Sequence, residues 1–297
     1  MMIADRSRLH IALQKSGRLA DASRDLLRDA GLRIQSGKNS LTARVENFPA
    51  ELMFVRDDDI PTFVSDGVCE FGIVGQNVLE EFALGEADRR YEVQAELGFG
   101  RCSLRLAAPE NLQYDGPQSL SGSRIATSYP RLLTRFLEEQ GIDATVVKMN
   151  GAVELAPRLQ IANFICDLVS TGATLEANGL KSVATVLESQ SVLIRTKKLV
   201  DKARDAIAAG LLTRINGVLA TKESKYIMLN AASESLKQIT DILPGAEAPT
   251  IVPLHGRPGH FAVHAVCQES VFWETLEKLK GAGASAILVV PIEKMMM

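Results

Sequence analysis

The feature that most constrains this chain is a regular alternation, from Arg8 to Ile194, of short apolar runs with stretches of helical period. Residues 8–13 (RLHIAL) form the first run. Ser16 then offers an N-cap, and Leu19, Ala22, Leu26, Leu27 and Ala30 recur at helical spacing as far as Gly31. Further strands are predicted at 52–55, 71–74, 104–107, 124–127, 145–148, 164–169, 183–187 and 191–194, with helical stretches such as 131–140 between them. Alternation of this kind predicts parallel sheets covered on both faces.

Two α/β lobes fit the pattern better than one sheet. An apolar strand near 102–108 and a returning strand near 189–195 bracket a complete α/β unit, and a long helical pattern follows over 199–220. Lobe I is therefore expected over 1–103, completed by 189–223, and lobe II over 104–188. A cleft between lobes joined by a two-stranded hinge suits a polar ligand. From 224 the pattern changes to strand 226–229, helix 233–243, strands 250–254 and 261–266, helix 269–279 and strand 286–290. That β-α-β-β-α-β order predicts a separate ferredoxin-like domain over 224–297.

Charge and cysteine content narrow the function. With 33 basic against 36 acidic residues, a net charge of -3 excludes a nucleic-acid binder that reads phosphate by bulk charge, so phosphate binding must be local. Cys69, Cys102, Cys166 and Cys267 lie far apart in no CxxC pair, which reads as reduced structural thiols. Asp5, Arg6, Arg8, Lys15 and Arg18 interrupt any apolar signal core. The longest uncharged run, 281–292, is shorter than the roughly 20 residues of a membrane-spanning helix. A cytoplasmic protein is expected.

The strongest local signal is FICDLVSTGAT at 164–174. An apolar strand carries Asp167, and the small residues Ser170, Thr171, Gly172, Ala173 and Thr174 follow. Such a loop lets backbone amides approach a phosphate while the carboxylate accepts from ribose hydroxyls; a plain βα turn with a Ser/Thr cap fits equally. Lys15-Ser16-Gly17-Arg18 opens a helix and reads as an anion site or a solvated basic turn. Arg56 precedes Asp57, Asp58 and Asp59 at a strand's carboxyl end, where α/β ligands bind, although one aspartate is needed as a cap before Pro61. Gly75-Gln76-Asn77 is another strand-to-helix turn. Glu154 begins a helix, and Tyr129-Pro130 offers either a wall for a base or a buried tyrosine. His10, His255, His260 and His264 form no catalytic or metal spacing, and Trp273 reads as core.

The segment around Asp167 resembles the phosphoribosyl-pyrophosphate loop of phosphoribosyltransferases, with one carboxylate where many have an adjacent pair. That variant is similar to ATP phosphoribosyltransferases, and the resemblance continues through QKSGRL (14–19), VRDDDIP (55–61), GIVGQNVLEE (72–81) and RIATSYPRLL (124–133). NGAVELAPR (150–158), ICDLVSTGATLEANGL (165–180), ESKYIMLNA (223–231), APTIVPL (248–254) and FWETLEKLKGAGASAILVVPIEKM (272–295) extend it over essentially the whole chain, in the family's long form. The resemblance implies an α/β fold with a two-lobed, periplasmic-binding-protein-like core and a ferredoxin-like regulatory domain. It implies transfer of the phosphoribosyl group of phosphoribosyl pyrophosphate to the adenine ring of ATP, with Mg2+ as cofactor and histidine as feedback inhibitor. Lys15, Arg18 and Arg56 are then expected to act in catalysis. Asp167, Ser170 to Thr174, Gly75, Asn77 and Glu154 are expected at the substrates, and Thr250, Ser285 and Ala286 at histidine. A homo-oligomer, dimer or hexamer, is implied, with neither nucleic acid nor membrane as partner. A two-lobed solute-binding protein without catalysis shares the architecture but not the loop.

Overall fold

The computed structural model describes residues 7–37, 40–86, 88–198, 201–222, 224–243 and 248–295. They form two compact units, one of residues up to 28 with 32–208, the other of residues 29–31 with 209 onward.

The first unit holds two sheets. Lobe I is built on β1 (Leu9–Gln14), β2 (Ile34–Ser36), β3 (Thr42–Val45), β4 (Ala50–Val55), β5 (Phe71–Gly75), β6 (Tyr91–Glu96) and the late strand β12 (Ser191–Thr196). Lobe II is built on β7 (Cys102–Pro109), β8 (Arg124–Thr127), β9 (Thr145–Lys148), β10 (Phe164–Val169) and β11 (Leu180–Ser189). The strand orders are β2-β3-β4-β1-β5-β12-β6 and β11-β7-β10-β8-β9.

Neither sheet is all-parallel, which corrects the expectation. β1 runs parallel to β4 and β5, and β8 parallel to β9 and β10, but every other pairing is antiparallel. Strand–helix alternation reports only the crossover units; it is blind to hairpins such as β2–β3–β4 and to a strand that returns from the other lobe. The parallel strands are the near-continuous apolar runs, because helices cover both their faces: Leu9, Ile11, Ala12 and Leu13 of β1 are all fully buried. Lobe II has its own core of Leu104, Leu106, Ile125, Leu133 and Phe164.

The chain passes between lobes at residues 97–101 and again at 189–191. The crossings are hydrogen-bonded to one another, Leu97 N to Ser191 O and Ser191 N to Phe99 O, each at 3.0 Å. Helices α1 (Ala20–Asp29), α2 (Ile60–Ser65) and α3 (Gln76–Ala83) belong to lobe I, and α4 (Pro130–Glu139) and α5 (Ala173–Ala177) to lobe II. Ser16 lies four residues before α1 and is not its cap; Leu19 N is instead received by Gln14 Oε1 at 2.9 Å.

Helix α6 (Lys202–Leu219) falls within the long helical pattern expected over 199–220, of which Leu199 and Val200 lie outside the described residues. The second unit begins inside it, ahead of the expected boundary at 224, and Met295 N donates to Gly217 O within that unit. Its sheet comprises β13 (Ser224–Ala232), β14 (Thr250–Pro253), β15 (His260–Gln268) and β16 (Ser285–Pro291) in the order β14-β15-β13-β16, every pairing antiparallel. With α7 (Leu236–Ile242) and α8 (Glu269–Gly281) this is the split βαβ arrangement. Ile227, Leu229, Val263 and Ala265 pack with Ile239 and Leu279. Trp273 is 73% exposed, not core, since α8 turns Thr275 and Leu279 inward instead. All four cysteines are buried and free, and burial pushes the Cys69 thiol up to about 12. Among the described residues no helix is long and apolar enough to cross a membrane.

Candidate active site

Each lobe offers one edge at which the carboxyl ends of three parallel strands converge, where ligands of α/β sheets bind. In lobe I, β1 delivers Lys15 and Arg18, β4 delivers Arg56 to Asp59, and β5 delivers Gly75. In lobe II, β8 leads to Ser128 and Tyr129, β9 ends in Lys148, and β10 leads to Ser170 through Thr174.

The lobe I turns are tied together. Gln14 Nε2 donates to Asp57 Oδ2 at 3.2 Å, while Gln14 Oε1 receives the amide before α1. A Cβ at Gly17 would lie 2.8 Å from Gln14 Nε2 and its φ is +113°, so glycine is required there. Lys15 and Arg18 are exposed, and the Arg18 guanidinium donates to Gly100 O. A Cβ at Gly75 would come within 3.5 Å of Arg18 Nη2, placing that cation over the β5–α3 turn. Residues 57–59 form a single 3-10 turn with Arg56 Nη2 4.0 Å from Asp58 Oδ2. Burial, and then the Asp57 charge, push the Asp58 carboxyl above the usual range, opposed by Arg56 and Lys148.

Asn77, expected at the substrates, is buried where the lobes meet. It is 1% exposed; its backbone amide donates to Ser189 Oγ, which donates back to Asn77 Oδ1, and its Nδ2 donates to Tyr129 Oη at 2.8 Å. Asn77 is thus a joint between lobes. Beside it, Glu81 accepts from the amides of Arg131 and Leu132 at 3.0 and 2.9 Å, capping α4 from the other lobe, and Arg135 pairs with Glu80 at 3.1 Å.

Between these turns lies a cavity of about 820 Å³ lined by Arg56, Asp57 and Asp58 of lobe I and Ser128, Tyr129 and Lys148 of lobe II, among others. The Tyr129 ring packs against the apolar clusters of both lobes, and burial pushes its hydroxyl pKa well up.

The β10 loop is exposed apart from the half-buried Gly172, whose φ is +87°. Among the described residues, the amides of Thr171 to Thr174 have no backbone acceptor, the state of a helix start that awaits an anion or water. Asp167 Oδ1 accepts from Leu168 N at 2.8 Å. Burial raises the Asp167 pKa, that amide lowers it, and nearby Glu154 raises it again. Glu154 sits on a 3-10 turn, Val153–Leu155, after Ala152 at φ +50°. The Glu154 charge thus acts on Asp167 from another segment, where adjacent residues supply the pair in the commoner loop.

Lys148 and Glu81 escaped the sequence reading. Lys148 was readable as a cation ending a predicted strand; Glu81 carries no local signal, since its partners are backbone amides 50 and 51 residues away.

In the second unit, Thr250 lies exposed on β14 and Ser285 and Ala286 on β16. Ser285 Oγ donates to Asn230 O at 3.4 Å, and Ala286 adopts φ +49° where the β13–β16 register shifts.

A two-lobed α/β core with a polar cavity lined from both lobes, and phosphate-suited turns at its strand ends, fits a nucleotide-handling transferase. The family model described as ATP phosphoribosyltransferase matches residues 56–217, and the model of that family's C-terminal domain matches 221–294. An ATP phosphoribosyltransferase of Maricaulis maris is 54% identical over 291 residues, covering 98% of this chain and 99% of that one. A solved ATP phosphoribosyl transferase complex from Thermotoga maritima shares the fold at a TM-score of 0.59, with 23% identity over 71% of this chain and 97% of its own. The chain belongs to the ATP phosphoribosyltransferase family. It is a pentosyltransferase of histidine biosynthesis that joins a phosphoribosyl group to ATP, and the catalytically silent solute-binding alternative is not favoured.

Proposed function

We propose that phosphoribosyl pyrophosphate lies against Asp167 and Ser170–Thr174, its pyrophosphate toward Lys15 and Arg18, and that ATP enters the cavity beside Arg56 and Tyr129. The observation that carries this division is that the cavity lining and the β10 loop share no residue, so two polyanions have separate places at one set of strand ends. Asp167 and Glu154 accept from the ribose hydroxyls, and the free amides of 171–174 receive the sugar phosphate. A ring nitrogen of adenine attacks the anomeric carbon; the carbon–oxygen bond to pyrophosphate breaks, the leaving group takes the electron pair, and the configuration inverts. Lys15 and Arg18 stabilise that growing charge, and the lobes supply orientation.

Among the described residues no group of three or more His, Cys, Asp or Glu is arranged to hold a metal. The adjacent carboxylates of Asp57 and Asp58 fit Mg2+, which keeps several waters and takes one or two carboxylates plus phosphate oxygens. Bound there, Mg2+ would neutralise phosphate charge.

Histidine inhibition is assigned to the second unit. Thr250 and Ser285–Ala286 occupy opposite edge strands, three strand spacings or about 14 Å apart. One histidine does not span that distance within one sheet. A shared ligand requires the β14 edge of one copy and the β16 edge of another, in keeping with a homo-oligomeric enzyme. Initial rates with ATP, phosphoribosyl pyrophosphate, Mg2+ and pyrophosphatase test the assignment, repeated with histidine and with light scattering. Saturation in both substrates, a Mg2+ requirement and inhibition accompanied by a shift in assembly are expected; activity indifferent to histidine removes the regulatory part.

A further inference from the structure

We infer that Lys148 is a phosphate-binding residue for ATP, reaching the nucleotide from lobe II while Arg56 reaches it from lobe I. The inference rests on the placement of ATP in the cavity and names a residue which that placement leaves unassigned.

The cavity lining carries three cations, Arg56, Arg131 and Lys148, and three carboxylates, Asp57, Asp58 and Glu81. Most of these charges are already committed. Glu81 caps α4 with both oxygens. Arg131 donates through Nη1 to Glu81 O at 3.4 Å and lies over Gly85, where a Cβ would be 2.3 Å from its Cζ. Asp57 accepts from Gln14. Arg56 stands near Asp58. Lys148 is exposed, and its ammonium forms no ion pair or hydrogen bond among the described residues. It lines the cavity from lobe II, while Arg56, Asp57 and Asp58 line it from lobe I. A lone cation on the wall of a cavity, across from Arg56, is placed to take a phosphate oxygen that enters between them.

The topology says which substrate it serves. Lys148 pairs in register with Thr127, two residues before Tyr129, so it stands beside the turn that lines the cavity. Strand β8 separates β9 from β10, which puts Lys148 two strand spacings, about 10 Å, from the β10 loop. It therefore serves the nucleotide and not the sugar phosphate.

The test uses the full-length enzyme with Lys148→Ala, Lys148→Arg and Ser128→Trp, the last filling the cavity. Calorimetry with ATP alone is combined with KM for each substrate and with melting curves to verify the fold. Lys148→Ala is expected to weaken ATP binding and raise its KM by about ten- to a hundredfold, the worth of a hydrogen bond to a charged group. KM for phosphoribosyl pyrophosphate should stay within about twofold, and Lys148→Arg should recover most of the affinity for ATP. ATP affinity unchanged in Lys148→Ala but lost in Ser128→Trp overturns the role of Lys148 and leaves the cavity assignment standing. A loss expressed in KM for phosphoribosyl pyrophosphate also overturns it. ATP binding untouched by all three variants overturns the cavity assignment itself.

Discussion

The side-chain amide of Asn77 donates to the hydroxyl oxygen of Tyr129 at 2.8 Å, joining the first turn of α3 in lobe I to the turn that opens α4 in lobe II. Neither partner is replaceable by water, because Asn77 is buried and the tyrosine ring is packed against both cores. Tyr129→Phe leaves a buried amide hydrogen without an acceptor, at a cost of about 1–3 kcal/mol. Urea denaturation should show a lower midpoint at unchanged m-value. Since burial keeps the hydroxyl protonated far above neutral pH, the difference should not vary between mildly acidic and mildly alkaline buffers.

Gly172 sits at φ +87° with open space where a Cβ would project. A side chain there meets no neighbour, so its penalty is backbone strain, about 1–2 kcal/mol for an ordinary residue and more for a β-branched one. Gly172→Val should lower the melting temperature modestly and raise KM for phosphoribosyl pyrophosphate by tenfold or more, about 1.4 kcal/mol, as the amides of Thr171 to Thr174 swing from their common direction. Gly172→Ala should fall between; native kinetics in both variants would remove this loop from the sugar phosphate.

The larger catalytic effect is expected at Arg18. Arg18→Ala should lower kcat/KM by about 2–4 kcal/mol of transition-state stabilisation, the loss of one preorganised donor to developing charge. Arg6, the natural comparison on the same terminal segment, lies outside the described residues; Arg28, exposed and paired with Asp25 on α1, serves as control and should lose at most a few tenths of a kcal/mol in stability. Steady-state rates for the two alanine variants decide the matter.

Asp167 is expected to trade stability for function. Burial raises its pKa above that of the unfolded chain, so the folded form binds the proton more tightly and the ionised carboxylate destabilises the fold above its folded pKa. That penalty disappears as pH falls through the folded pKa. Asp167→Asn should therefore melt higher than the native enzyme near neutral pH and converge with it on acidification into the carboxylate range. Activity should move the other way, with kcat/KM down by tenfold or more as a charged ribose contact is lost. A variant that melts lower near neutral pH would refute the buried-charge account.

The strands that lead into the candidate site were legible because burial leaves near-continuous apolar runs, as in β1, β5 and β10. β3 and β6 were not: TARV and YEVQAE put charged or polar residues on exposed positions and give too few turns of any period. Small residues and clustered charge made the turns at 15–18, 56–59 and 170–174 readable. The pairing of those turns was not, since the Asn77–Tyr129 bond and the Glu81 cap join residues about fifty positions apart by single contacts that leave no spacing behind. Glu154 shows both sides: its carboxylate was visible, but the influence of its charge on Asp167 depends on how β10 threads between β7 and β8.

Gln14 grips the start of α1 with its oxygen and Asp57 with its nitrogen, so the turn suited to pyrophosphate and the turn suited to ATP hang from one amide group. A ligand that stills either turn leaves the other with less freedom to lose. Each substrate should then bind more tightly when the other, or an unreactive analogue of it, is already in place. Thermodynamic reciprocity makes the two enhancements equal. Substitution of Gln14 by leucine would make the substrates strangers to each other, while each retained its own affinity for the empty enzyme.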